Sequence, residues 1–225
     1  DLLARMTREE KFWQLFAIPD DTTLDLARLQ HGVYGLQVRP GPGGGGSEVA
    51  ARINTLQRFF VTRTRLGIPM IPWEEGLHGL AQGGATIFPQ AIGLAATWDS
   101  ALVAGVASAT AREARARGIR QVLSPVLNLA TDVRWGRVEE TFGEDPWLAS
   151  RLGVAFVHAF ESAGVATTPK HFVANVGDGG RDSYPVEVSR RWLEELHFPP
   201  FRASTAAGGA RSVMASYNSL DGAPA

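Results

Sequence analysis

Cysteine is absent from all 225 residues. Disulfides and thiolate metal sites are thereby excluded, while the compartment stays open between cytoplasm, periplasm and exterior. Net charge is nearly absent too: a formal −1 gives no electrostatic case for nucleic acid or a membrane surface as partner. No stretch approaches the roughly 18 apolar residues of a membrane span, and no charged, apolar, small-residue leader opens the chain. Histidines number five, with no His-x-His pair and no third histidine suitably placed beside His78 and His171. No metal and no cofactor are expected on that basis. What is present is a hydrophobic share of 44%, enough for a sizeable core in a chain of this length.

The order of elements is the next signal, and it alternates. Thr7 with Glu10 three residues on forms a capping box, and Phe12, Leu15 and Phe16 make an apolar stripe, which predicts a helix over residues 1–16. A strand is predicted at 32–38, then a loop at 39–47 whose four consecutive glycines suggest a mobile surface segment. No Lys-Ser/Thr follows them, so they are not a phosphate cradle. A helix over 48–65, a strand over 68–73 and an Ala-rich helix over 99–117 stopped by Gly118 come next. A β-rich run at 122–128 is interrupted by Pro125. Asp145 as N-cap and Pro146 in the first turn open a helix that Gly164 ends. Residues 165–172 read as strand, 189–207 as a helix broken at Pro199 and Pro200, and 211–217 as strand. This is α/β, a TIM-barrel-like pattern with about five strand–helix units where a closed (β/α)8 barrel needs eight.

Four motifs fall just after these strands: WEEGLHG at 73–79, TDVRWGR at 131–137, PKHF at 169–172 and ASYN at 215–218. In a parallel barrel the active site is built at the C-terminal strand ends, so this placement separates a constellation from scattered surface charge. Adjacent Glu74 and Glu75 must point in different directions, leaving one solvated and one capped or ion-paired. His78 suits a hydrogen-bonding support better than a metal ligand. Arg134 offers planar, multi-donor contact to hydroxyl or carboxylate oxygens, and Trp135 the apolar face a sugar ring prefers. Arg137 reads as an internal ion pair with Glu139, Glu140 or Glu144. Lys170 and His171 end an apolar strand, costly unless both find partners, and together they can donate several hydrogen bonds to hydroxyls. Tyr217 either orients a carboxylate or touches a sugar, or else is a buried tyrosine bonded to the backbone. Asp178, Arg181 and Asp182 belong to a Gly-rich loop at the cleft mouth.

From DLLARMTREEK to ASYNSLDGAPA the chain resembles the N-terminal barrel domain of glycoside hydrolase family 3. The segments that carry the resemblance are EEGLHG, GATIFPQAIGLAATWD at 84–99, DVRWGRVEETFGEDP at 132–146, PKHF, GGRD at 179–182 and SVMASYNSLDG at 212–222. It implies a retaining hydrolase of terminal β-linked sugars, acting through a covalent glycosyl–enzyme with two carboxyls about 5–5.5 Å apart. In the family the nucleophile is an Asp in a Ser-Asp-Trp/Tyr motif a few dozen residues after the ASYN strand, and the acid/base usually comes from a second, α/β sandwich domain. Both are expected after Ala225, so residues 1–225 are expected to be the N-terminal part of the barrel and to hold no catalytic carboxylate. The resemblance transfers the sugar grip at subsite −1: Glu75 to the outer hydroxyls, Arg134, Lys170 and His171 to the ring hydroxyls, and Tyr217 beside the nucleophile.

The implied partner is a β-linked oligosaccharide or glycoside; self-association is left open. Many family glucosidases carry Asp where Glu75 stands, and xylosidase-like relatives carry Glu, whose extra methylene reaches toward the space of a glucose hydroxymethyl. A β-glucoside is favoured over a β-xyloside. Two readings from other classes stand beside it: a metal-dependent barrel hydrolase and a non-catalytic sugar-binding domain.

Overall fold

The computed structural model describes residues 1–19, 25–177, 182 and 185–225. Its centre is a parallel sheet of five short strands: β1 (Ala17–Ile18), β2 (Gly35–Gln37), β3 (Ile71–Glu74), β4 (Gln121–Val122) and β5 (Ala166–Thr167). They lie side by side in chain order, each parallel to the next. Sequential order without reversal is barrel topology; a doubly wound sheet would switch direction near its middle. The sheet does not close.

Pairing runs on past the regular strands. Leu127 N–H donates to the Lys170 carbonyl at 2.7 Å, and Lys170 N–H to the Pro125 carbonyl at 2.9 Å. Phe172 N–H donates to Met214 and Ser216 N–H to Phe172, both at 2.7 Å. The strand expected at 211–217 is therefore not a regular ladder. It meets 169–173 through one parallel bridge, Phe172 with Ala215, which sets it beside β5 in the place of a sixth strand.

The helices cover the sheet as their apolar periodicity dictates. Helix α3 (Gly46–Arg63), after α1 (Leu2–Arg5) and α2 (Arg8–Trp13), buries Val49, Ile53, Leu56 and Phe60 along one face. After the short α4 (Ala91–Ala95) comes α5 (Ser100–Arg117), capped by Asp99 on two backbone N–H groups and stopped by Gly118 at φ 89°. Helix α6 (Pro146–Ser162) starts as expected, with Asp145 accepting from Leu148 N–H and Pro146 in the first turn. It buries Phe156 and Phe160, stacked at 4.8 Å. Each fully buried phenylalanine contributes roughly 2–3 kcal/mol by removal of apolar area from water.

Three expectations are revised. Residues 1–16 form two helices, because Thr7 caps a new start: its hydroxyl accepts from Glu10 N–H while Glu10 accepts from Thr7 N–H. The stripe of Phe12, Leu15 and Phe16 is exposed instead of buried. The prolines at 199 and 200 do not break a helix. Helix α7 (Arg190–Trp192) passes through a wide π turn, Leu193–His197, into α8 (Phe198–Ala206), so the missing N–H groups fall where the regular ladder is already interrupted. In the glycine-rich loop that leads into α3, Gly41 N–H donates to Glu48 at 3.0 Å, a Cβ on Gly44 would overlap the same carboxylate, and Gly46 already belongs to α3.

Both sides of the open sheet carry apolar surface. On the β1 side, Leu2, Leu3, Phe12 and Leu15 are exposed and border a groove of about 550 Å³. Beyond the sixth position, Phe172, Phe198, Phe201 and Val213 line one of about 380 Å³.

Candidate functional site

Strand direction assembles the site. Glu75 follows β3, Asn128 follows β4, Lys170 and His171 follow β5, and Tyr217 follows Ala215, the residue bridged to Phe172. All lie beyond the C-terminal ends of parallel strands, where a barrel gathers functional side chains.

The two adjacent glutamates part company as alternation requires. Glu74 is 1% exposed, and its carboxylate accepts from Gln37 Nε2 at 2.5 Å, Gln82 Nε2 at 2.7 Å and Glu75 N–H at 2.8 Å. It is an internal brace. Glu75 points the other way, with Oε2 2.8 Å from Lys170 Nζ. Gly76 is needed next to it, because a Cβ there would press to 3.1 Å from Val122 Cγ1 on β4. His78 is a support, its Nδ1 2.8 Å from the Phe88 carbonyl oxygen.

Lys170 is the most enclosed cation of this group. Burial lowers its pKa, and the Glu75 carboxylate opposes that shift; Arg137 lowers it further and Glu140 raises it. Arg137 thus shares the electrostatic neighbourhood of Lys170. Its guanidinium is buried, bidentate to Glu140 at 2.7 and 2.9 Å and 3.0 Å from Asp182 Oδ1. Burial pulls the Arg137 pKa down, and the two carboxylates more than offset it. Among the loop candidates, Asp182 is so placed; Asp178 and Arg181 lie outside the described residues.

Arg134 is exposed and bound to Asp132, with Nε to Oδ1 at 3.0 Å and Nη2 to Oδ2 at 2.5 Å. That guanidinium holds the Asp132 carboxyl down at about 2. Trp135 is 2% exposed, so its ring is packed inside and is not an open platform for a sugar.

His171 is fully buried, and a residue missed in the sequence holds it. Asn128 Oδ1 accepts from His171 N–H at 2.8 Å and lies 3.0 Å from His171 Nδ1, while Asn128 Nδ2 donates to the His171 carbonyl at 2.9 Å. The signal was there: a polar residue ending the apolar run PVLNL, the same pattern that singled out Lys170 and His171. Tyr217 is exposed, its ring 5.3 Å from that of His171. The peptide bonds Lys170–His171 and Phe172–Val173 are cis.

Glu75, Lys170, His171 and Tyr217 thus form one connected wall in which the Glu75 carboxylate and the Tyr217 phenol are open to solvent and Lys170 and His171 are buried. Carboxylate, ammonium, imidazole and phenol together supply both hydrogen-bond donors and acceptors, the chemistry that suits neutral, hydroxyl-rich ligands. Comparison with known proteins finds relatives of one kind. A β-xylosidase of Formosa agariphila is 42% identical over 175 residues, 71% of this chain and 24% of that protein. A β-glucosidase of Rhizobium radiobacter is 37% identical over 165 residues, 70% of this chain and 20% of that protein. The solved structure of a β-glucosidase from Erythrobacter marinus superposes with a TM-score of 0.89 at 34% identity, covering all of this chain and 32% of that one. The chain therefore spans between a fifth and a third of the length of these relatives. The model of the glycosyl hydrolase family 3 N terminal domain matches residues 24–225, and the chain belongs to that family.

Proposed function

We propose that the intact enzyme is a retaining β-glycosidase releasing terminal non-reducing β-D-glucosyl residues, and that this chain supplies its grip on the sugar in subsite −1. The observation that carries this reading is the Glu75–Lys170 pair, 2.8 Å apart, with Lys170 enclosed and Glu75 half open. A pair of opposite charges at a strand-end cleft presents an acceptor and a donor to neighbouring hydroxyls. Charged hydrogen bonds of this kind strengthen as positive charge grows on the sugar ring. His171 and Tyr217 extend the wall, and Arg134, exposed and paired with Asp132 in the loop after β4, is proposed to join them on the ring hydroxyls. Residues 1–225 are then the N-terminal part of a (β/α)8 barrel. The rest of the barrel and an α/β sandwich domain, with the nucleophile and the acid/base, are proposed to follow. The relatives' greater length and the two uncovered apolar faces support this.

A β-xyloside is the second reading, favoured by the xylosidase at 42% identity and by the reach of a glutamate at position 75. The test is kcat/KM of the intact enzyme on aryl β-glucoside and aryl β-xyloside. Turnover with retention on the glucoside supports the first reading, and preference for the xyloside supports the second. Binding of either sugar without turnover would leave a sugar-binding domain instead.

A further inference from the structure

We infer that Asn128 is a positioning residue that holds His171 in the tautomer protonated on Nδ1, which leaves Nε2 as the ring's hydrogen-bond acceptor. The inference rests on the reading of His171 as a sugar contact. The tautomer itself follows from heavy-atom contacts alone.

The orientation of an asparagine amide is ordinarily an assignment, because its oxygen and nitrogen look alike. Here the backbone decides it. The His171 N–H can only donate, so the Asn128 atom facing it at 2.8 Å has to be Oδ1. The His171 carbonyl can only accept, so the atom facing it at 2.9 Å has to be Nδ2. A flipped amide would set two donors together and two acceptors together. With Oδ1 fixed in place, the ring nitrogen 3.0 Å from it is facing an acceptor and carries the proton. In the neutral ring the other nitrogen, Nε2, then carries no proton and can only accept.

The device costs the fold little, because Asn128 is doing what a further rung of sheet would do. Val126 pairs with Lys170 and Leu127 donates to the Lys170 carbonyl. Asn128 continues that ladder by one residue with its side chain, and both groups are buried to 1% or less. A free imidazole populates both tautomers. This one is committed by three contacts from a single amide, and the ring is left with an acceptor next in sequence to the donor Lys170.

The experiment is nitrogen NMR on the intact enzyme labelled at histidine, with the His171 signal assigned by its loss in His171→Gln. The wild type should show the proton on Nδ1. In Asn128→Ala, or the near-isosteric Asn128→Leu should alanine fail to fold, the two tautomers should mix. kcat/KM should then fall about 10–100-fold, the scale usual for groups that orient a functional histidine. Asn128→Asp keeps an acceptor for both N–H groups and should restore the Nδ1–H signature and most of the activity. A wild-type proton on Nε2 overturns the inference, as does an unchanged tautomer and rate in the alanine and leucine variants. The spectrum needs no substrate, so an enzyme inactive on β-glycosides would overturn the proposed function while the tautomer is still judged on its own.

Discussion

Lys170 and Glu75 are bound to each other but not equally placed, with side chains 3% and 40% exposed. Removing the ammonium leaves a carboxylate that water can still reach, so Lys170→Ala should fold. It should lose about 2–4 kcal/mol in kcat/KM, because a charged hydrogen bond realised most strongly in the transition state is gone. Normal kinetics with a lowered melting temperature would instead make Lys170 a brace. The two arginines of TDVRWGR should separate in the same assay. Arg134 is exposed, so its alanine variant should spare stability and lose activity. Arg137 is buried between Glu140 and Asp182, so Arg137→Ala strands two carboxylates and should cost about 3–5 kcal/mol of stability. Glu75→Asp tests the substrate. A glucosidase whose carboxylate reaches the outer hydroxyls should lose about 1–3 kcal/mol on glucoside. A xylosidase should gain relative activity on glucoside as space opens, and an unchanged rate and ratio would take Glu75 out of the site.

Elements differ in how openly the sequence declares them. Helices α5 and α6 were legible to within a residue because their signals are local: an Asp at the N-cap, a proline in the first turn, a glycine free to adopt positive φ. The strands were legible in order and direction but overestimated in length, since Pro125 and Pro169 cut the ladders into short pieces and single bridges. The cluster of Glu75, Lys170, His171 and Tyr217, proposed as the grip, was visible as polar residues ending apolar runs. Asn128 and the Gln37–Gln82 clamp on Glu74 were not, because their partners lie 37 to 43 residues away or in a neighbouring loop. The π turn was equally hidden, and it places His197 in an apolar setting, its ring 3.9 Å from Trp192. Burial lowers the His197 pKa from 6.5 to about 4. The unfolded chain therefore binds a proton between those values that the folded chain refuses, so stability is full above pH 6.5 and falls on acidification toward 4. The loss should reach about 3 kcal/mol at most. Urea midpoints measured from pH 7 to 4 check it: the decline should flatten in His197→Leu, and an identical slope in that variant would assign the effect to other groups.

At the scale of the whole molecule, an open sheet with two apolar flanks is the dominant fact. A closed barrel has no such edges, because the last strand pairs with the first and the outer helices cover one another. Here Phe12 and Leu15 on one flank and Phe172 and Val213 on the other are 38 to 79% exposed. Exposed apolar patches of that kind mark surfaces that are covered in the working protein. The isolated 225-residue chain should therefore bind a hydrophobic dye, and replacing Leu15 and Val213 by polar residues should reduce the signal. The same polypeptide should show no appreciable glycosidase activity. The nucleophile and acid/base are both proposed to lie outside it, and loss of an essential catalytic group typically removes several orders of magnitude in rate. Incubation with an aryl β-glucoside decides the matter. Turnover near that of an intact relative would place the nucleophile among the carboxylates of this chain and undo the proposed division, whereas sugar binding without turnover would show the grip working apart from the chemistry.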